Sequence, residues 1–92
     1  MTTRSNEQTT TSWYEEAQRE ANARDIVDAL NDAELMIIAL DDPDMRVQLK
    51  ADFATSFWMQ RYLPLAVEAG EAGRAVMVSI FQEQEERYER LS

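Results

Sequence analysis

The chain contains no histidine and no cysteine among its 92 residues. Most nucleophile–base pairs contain one of these two residue types, di-iron sites of the usual bundle form need histidine, and disulfide frameworks need cysteine. The chain also has only two glycines and no glycine-rich phosphate loop. We therefore predict a protein that is not an enzyme, that holds no metal or cofactor, and whose lack of disulfides suits the cytoplasm.

Long hydrophobic runs are missing as well. The longest apolar run, Leu35 to Leu40, has six residues, whereas a membrane-spanning helix needs about twenty. The first eleven residues are polar and contain no apolar segment of the secretory type. These features predict a soluble intracellular protein without a membrane partner.

Positive charge is scarce, because 18 acidic residues face 9 basic ones and the formal net charge is −9. From Ser5 to Met45 there are eleven acids and two bases. Repulsion disfavours nucleic acid and anionic membranes as direct partners, and the same charge favours a basic protein surface. An acidic surface also keeps a small protein soluble, so charge alone does not establish binding.

Polar residues fill positions 1–11 and predict a flexible N-terminal tail, followed by one domain over residues 12–92. Ser12 and Glu15 fit a capping box at the start of a first helix that runs to Leu40. A break at Asn31–Asp32, with Asp32 as a cap, is the alternative. The predicted apolar stripe of this helix has heptad-like spacing and contains Ala23, Ile26, Leu30, Ala33, Ile37 and Leu40.

Asp42 and Pro43 are typical of a helix start, as N-cap and first residue. The helix that follows is apolar over more than half its circumference until Pro64, which either kinks it or starts another helix. Gly70 and Gly73 predict a turn or, alternatively, a close helix crossing. The predicted fold class is all-α, a three- or four-helix antiparallel bundle or helical hairpin.

The acidic residues of the first half supply the candidate partner-binding surface. On a continuous first helix, most of its carboxylates fall on the arc away from the apolar stripe. Such a row can imitate a phosphate backbone, so nucleic-acid mimicry is one interpretation, and a solvated helix face is the other. Trp13 and Tyr14 are added as aromatic anchors. The predicted partner-binding residues are Trp13, Tyr14, Glu16, Glu20, Asp28, Asp32, Glu34, Asp41, Asp42 and Asp44.

A second aromatic group predicts either core or an oligomer interface. Its members are Phe53, Phe57, Trp58 and Tyr62. A stripe of this kind is usually core, and the alternative is a face that contacts another copy of the chain. The acids from Asp41 onward do not form a calcium-binding loop, because Arg46 stands where such a loop requires glycine.

Size, charge and missing chemistry together indicate a small inhibitor or adaptor, of the kind that phages and mobile elements encode. It would dock on a basic surface of a host protein, a toxin or a nucleic-acid-binding protein. The main alternative is a structural subunit of a homo-oligomer, such as a virion component. An antitoxin that masks a basic toxin is a third interpretation, which the sequence does not separate from the first.

Overall fold

Every regular element in the described part of the chain is an α-helix. The computed structural model describes the backbone of residues 2–51 and 55–91 and the side chains of residues 13–49 and 55–91. Its helices are α1 (Thr2–Ala23), α2 (Ile26–Asp41), α3 (Pro43–Ala51), α4 (Phe57–Ala69) and α5 (Glu71–Leu91). The all-α prediction is confirmed, but these ranges contain five helices where three or four were predicted.

Helix α1 begins at Thr2, so the predicted tail over residues 1–11 is not confirmed. Ser12 lies inside the helix and does not mark its start. The segment before Trp13 contains neither proline nor glycine. Threonine, serine and asparagine lower helix propensity by only tenths of a kcal/mol per residue, so a helix established further along the chain extends through them.

The predicted continuous helix from Ser12 to Leu40 is interrupted at Arg24 and Asp25. Asp25 has φ −52° and ψ 134°, and its side chain accepts a hydrogen bond from the backbone N–H of Asp28 at 3.3 Å. Helix α2 then runs without interruption through Asn31, so the predicted alternative break is wrong. Both sites carry an aspartate able to cap a helix, and only the first one does so.

Local capping chemistry sets the starts of α3 and α4. The Asp42 carboxylate accepts from the backbone N–H groups of Asp44 at 3.0 Å and Met45 at 3.3 Å, and Pro43 is the first residue of α3, as predicted. The predicted long helix beyond it is divided, because Ser56 caps α4 by accepting from the N–H of Met59 at 3.2 Å. Pro64 lies inside α4 and starts no new helix.

The two glycines have different roles, and each matches one of the two predicted alternatives, a turn or a close helix crossing. Gly70 ends α4 with a φ of 65°, a left-handed conformation that glycine adopts without steric cost. Gly73 lies in α5, where a Cβ atom would stand 2.1 Å from the backbone oxygen of Ala66 in α4. The turn is therefore at Gly70 and the close helix crossing is at Gly73.

The core is rich in small residues and methionine. Helix α2 packs most extensively on α5, through Ala29, Ala33, Met36 and Ala39, which are buried. Of the predicted apolar stripe only Ala33 is fully buried, whereas Ala23 is exposed and the other members are half-buried. The buried alanines allow α2 and α5 to approach closely. The leucines and isoleucines of the predicted stripe therefore lie beside this contact and are only half-buried. The buried hydrophobic residues are Ala17, Ala21, Ala29, Ala33, Met36, Ala39, Leu49, Trp58, Met59, Tyr62, Leu63, Ala66, Met77 and Ile80.

Helices α1 and α5 meet partly through polar side chains. Gln84 is fully buried, donates to the side-chain oxygen of Asn22 at 2.8 Å and accepts from Arg87 at 2.5 Å. Glu83 accepts hydrogen bonds from Gln18 and Asn22. A buried amide with both functions satisfied costs little, and it specifies how α1 lies along α5.

None of the helices in the described residues is long and apolar enough to cross a bilayer. The chain is somewhat elongated, with principal extents of 45 × 33 × 21 Å and a Cα radius of gyration of 13.6 Å.

Candidate protein-binding surface

Most arginines with described side chains are engaged within the chain. Arg46 donates to the backbone oxygens of Ala39 at 3.2 Å and Leu40 at 3.0 Å, which satisfies two carbonyls at the C-terminal end of α2. The others bind carboxylates or, for Arg87, the Gln84 amide. The arginines engaged in this way are Arg24, Arg46, Arg61, Arg74 and Arg87.

The two carboxylates predicted from α1 face α4. Arg61 lies 3.7 Å from Glu16 and 3.5 Å from Glu20, and the Glu20 carboxylate also accepts from the Tyr62 hydroxyl at 2.5 Å. The carboxylate side chains are 37% and 40% exposed, so solvent screens the ion pairs and each is worth at most about 1 kcal/mol. These acids help to dock α1 and are only partly free for a partner.

The phenol of Tyr62 is held in its protonated form. The residue is fully buried, and its hydroxyl is the donor to Glu20. Burial, the hydrogen bond and the negative charge of Glu20 together raise the pKa of Tyr62 well above its ordinary value. The phenol therefore remains a donor throughout the neutral range.

Replacement Tyr62→Phe should lower the free energy of unfolding by about 1–2 kcal/mol at neutral pH, because a hydrogen bond to a charged acceptor is lost. Since the folded-state pKa is raised, stability present below about pH 10, the unfolded value, is lost as pH rises beyond it. The variant should lose less stability on alkalinisation than the wild type. Urea unfolding at neutral and alkaline pH measures both effects, and an equal alkaline loss in the two proteins would contradict this role of the phenol.

Asp32 lies largely inside the structure and not on the predicted acidic row. Its carboxylate is 2.6 Å from Arg24 and accepts from the Ser56 hydroxyl at 2.7 Å, and its side chain is 15% exposed. The Arg24 guanidinium also lies 6.0 Å from the centre of the Trp58 ring. Asp32 thus joins the end of α1 to the start of α4, and its charge is compensated within the chain.

The three acids around the α2–α3 junction have different roles. Asp41 faces Arg74 across a forked contact, with an Nη2–Oδ2 distance of 3.2 Å, and both side chains are at least half exposed. Asp42 is the cap of α3. Asp44 is exposed in the first turn of α3. Only Asp44 among them has no structural task in the described contacts.

The solvent side of α2 combines carboxylates with exposed aliphatic side chains. Val27 is 46% exposed and Ile38 is 41% exposed, and they lie three helical turns apart on one line. Their exposed neighbours recur every three or four residues. We define the α2 outer face as Val27, Asp28, Asn31, Glu34, Ile38 and Asp41.

Among the described side chains, Asp28 and Glu34 carry the charges of this face that have no ion-pair partner. No described arginine lies within ion-pair distance of either carboxylate. The sequence identified both acids but not Val27 and Ile38. Val27 and Ile38 are eleven residues apart, and this spacing already places them on the same side of a helix. Only the break at Asp25, which separates α2 from α1, shows which side of α2 faces the core.

Trp13 and Tyr14, the predicted anchors, are both half-buried. The Trp13 ring stacks on Tyr62 with a centroid distance of 6.3 Å and packs against the core, and it contacts Tyr14 edge-on at 4.4 Å. The Trp13 ring therefore packs within the fold, and its role as an anchor for a partner stays a prediction.

The predicted aromatic interface does not form one exposed face. Trp58 is 4% exposed and Tyr62 is fully buried, whereas Phe57 is 89% exposed. The Trp58 Nε1–H donates to the backbone oxygen of Ala17 at 3.0 Å. Phe53 lies outside the described residues. Two of the four aromatics therefore belong to the core, and Phe57 points to solvent.

Among the side chains of residues 13–49 and 55–91, no three acidic residues group as the ligands of a metal ion would. No family model, curated protein or solved structure matches the chain.

Proposed function

We propose that the chain is a non-enzymatic protein-binding module, a small inhibitor or adaptor, which docks the α2 outer face on a basic surface of another protein. The observation that carries this proposal is that the carboxylates of Asp28 and Glu34, which no described basic side chain compensates, lie on one helix side with exposed Val27 and Ile38. Asp44, exposed at the start of α3, extends the acidic surface.

The two kinds of side chain have different roles in such a contact. Carboxylates steer a basic partner and reject acidic ones, and their effect appears mainly in the association rate and in its dependence on salt. Valine and isoleucine contribute apolar area that water leaves on binding. The net charge of −9 adds long-range attraction to the same partner.

This proposal is narrower than the one from the sequence. Mimicry of a nucleic-acid backbone needs one row of carboxylates, whereas the row is interrupted at Asp25 and Asp32 is turned inward. We therefore retain a basic protein as the partner, inside the cell, and leave out mimicry. Trp13 and Tyr14 remain candidate contacts only through their exposed edges.

The test is the combined replacement Asp28→Asn, Glu34→Gln and Asp44→Asn, used as tagged bait in a bacterial lysate beside the wild type. Asp41 and Asp42 are left intact because they bind Arg74 and cap α3. We expect the wild type to retain a basic protein at low salt and release it at high salt, and the variant to retain much less of it. Quantitative mass spectrometry of the bound fractions measures the difference.

The control replaces three exposed acids of α5, Glu85, Glu86 and Glu89, by glutamine, which changes the net charge by the same amount. We expect this control to retain most of the wild-type binding, because it reduces only the long-range electrostatic attraction and leaves the α2 outer face intact. Equal capture by all three baits, or an equal loss in both variants, would overturn the assignment of the α2 outer face.

A further inference from the structure

The α2 outer face contains a row of exposed residues with the spacing of a helix-packing seam. Alternating intervals of four and three residues separate its members, and this spacing keeps side chains on one line of a helix. We define the α2 outer seam as Val27, Asn31, Glu34, Ile38 and Asp41, all of which are exposed. The opposite side of α2 packs on α5, so the outer seam is a second, parallel line along the same helix.

The shape of the outer seam restricts what can lie along it. The seam follows a convex helix for about 21 Å, or four turns. Because Val27 and Ile38 are eleven positions apart, an element that contacts both must follow the axis of α2. A second helix does so with side chains at intervals of three and four residues, which fit between those of α2. An extended segment would find no strand to pair with, because the described elements are all helices.

Aliphatic side chains border the seam on both sides. Leu30 and Ile37 lie about 60° and 80° to one side of Val27, and Leu35 lies about 80° to the other. All three are half-buried against the rest of the chain. A helix packed along the seam would cover their exposed parts, so the apolar area of the contact is larger than Val27 and Ile38 alone provide.

The charge around the seam is negative even when the nearby arginine of α5 is included. Residues 24–46 contain seven acids and two bases, and Arg74, which faces Asp41, adds a third positive charge. Seven negative charges against three positive ones leave a net charge of −4. Asp28 and Glu34 have no ion-pair partner among the described side chains. A partner that covers them therefore has to bring positive charge.

A second copy of the chain is disfavoured in this position by the same charges. Two α2 helices packed through their outer seams would bring carboxylates against carboxylates, whether the helices ran parallel or antiparallel. Like charges across a helix pair oppose association, whereas opposite charges select the partner and its orientation. The complementary occupant is thus a helix of opposite charge.

We propose that the partner presents an amphipathic α-helix with lysines or arginines beside its apolar stripe, and that this helix packs lengthwise along the α2 outer seam. The inference rests on the proposed function, because it names the element by which a basic partner binds the same face. Val27 and Ile38 pack between aliphatic side chains of the partner helix, and Glu34 accepts from one of its cations. Asn31, in the middle of the seam, favours a register that places a polar group opposite its amide.

Synthetic peptides of about 21 residues, three heptads, serve as probes. The patterned basic peptide has leucines at the two seam positions of each heptad and lysines beside them, and these lysines keep it from pairing with itself. A scrambled basic peptide has the same composition without a leucine stripe, and an acidic peptide has glutamates in place of the lysines. Fluorescence anisotropy measures binding of each labelled peptide to the whole chain at low salt. Circular dichroism of the mixtures measures any gain of helix.

We expect the patterned basic peptide to bind about tenfold or more tightly than the scrambled one and to gain helix on binding. The acidic peptide should not bind. Combined replacement Val27→Ser and Ile38→Ser removes the apolar contacts of the seam and should bring the two basic peptides to similar affinities. Phe57→Ser is the matched control, because Phe57 is also strongly exposed, at 89%, but follows Ser56. Ser56 contacts Asp32, which lies about 140° around α2 from Val27.

Tighter binding of the patterned basic peptide that comes with a gain of helix, is lost in the Val27/Ile38 variant and is kept in Phe57→Ser would support the inference. Equal affinity for the two basic peptides would overturn it. So would the absence of binding up to about 1 mM, the absence of a helix gain, or full binding by the Val27/Ile38 variant.

Failure of the proposed function would give a different result. If both basic peptides bind equally and both bind less to the Asp28/Glu34/Asp44 triple variant, the acidic docking surface stands and only the helical form of the partner is excluded. If neither peptide loses affinity for that variant, the assignment of the α2 outer face fails together with the inference.

Discussion

Replacement Trp58→Ala is expected to lower the free energy of unfolding by about 3–5 kcal/mol, whereas Phe57→Ala should change it by less than about 0.5 kcal/mol. The two residues are adjacent, but Trp58 is 4% exposed and Phe57 is 89% exposed. Trp58 also donates to the backbone of Ala17 at 3.0 Å and lies beneath the Arg24 guanidinium. Its removal leaves a cavity, and it takes away the hydrogen bond to the Ala17 oxygen and the ring beside the Arg24 guanidinium.

Urea unfolding at low protein concentration measures both variants as monomers. A domain of this size has about 5–15 kcal/mol of stability in total, so Trp58→Ala should remove a large part of it. Similar losses at the two positions would contradict the placement of Trp58 in the core. They would also mean that α4 is rotated relative to its described position.

Replacement Gly73→Ala is expected to lower the free energy of unfolding by about 2–3 kcal/mol. The new Cβ atom would stand 2.1 Å from the Ala66 oxygen, and backbone cannot yield as a flexible side chain does. Helices α4 and α5 must separate, which belongs to the upper range of overpacking costs. The gain in helix propensity from glycine to alanine, about 1 kcal/mol, offsets part of this cost.

Gly70→Ala is the matched control for this effect. Gly70 has a φ of 65°, but no atom lies within 4 Å of a Cβ placed there. Only the backbone conformation opposes the substitution, at a cost of about 1–3 kcal/mol, because residues with a Cβ atom rarely adopt a φ of 65° with a ψ of −128°. Thermal unfolding should therefore show a lower midpoint for both variants, for different reasons. A Gly73→Ala variant as stable as the wild type would contradict the close crossing of α4 and α5.

Features of the fold that depend on local chemistry were predictable. Asp42 and Pro43 are the residue types preferred at the N-cap and at the first position of a helix, and the structure places the start of α3 there. The choice between Asp25 and Asp32 as the cap of α2 was not local. Asp32 is engaged by Arg24 and Ser56, the latter 24 positions away, so the tertiary contacts decide which aspartate caps.

The candidate site was predictable in composition but not in arrangement. The sequence identified the acids of the first half, but it did not show that Glu20 would meet Arg61, 41 positions away, or Asp41 meet Arg74, 33 positions away. Such pairings separate structural carboxylates from those left for a partner. Whether Phe57 and Trp58 face the solvent or the core likewise depends on where α4 starts. Its cap at Ser56 was not recognised in the sequence, because the apolar pattern continues across it.

We propose that Asp28, Glu34 and Asp44 together form the acidic docking surface. The most direct measurement is the dissociation constant of the captured partner from the purified wild type and from the triple Asn/Gln variant over a range of salt concentrations. We predict a wild-type affinity that falls steeply with salt, and a variant that is weaker at low salt and less sensitive to it. Equal affinity of the two proteins at low salt would contradict the claim.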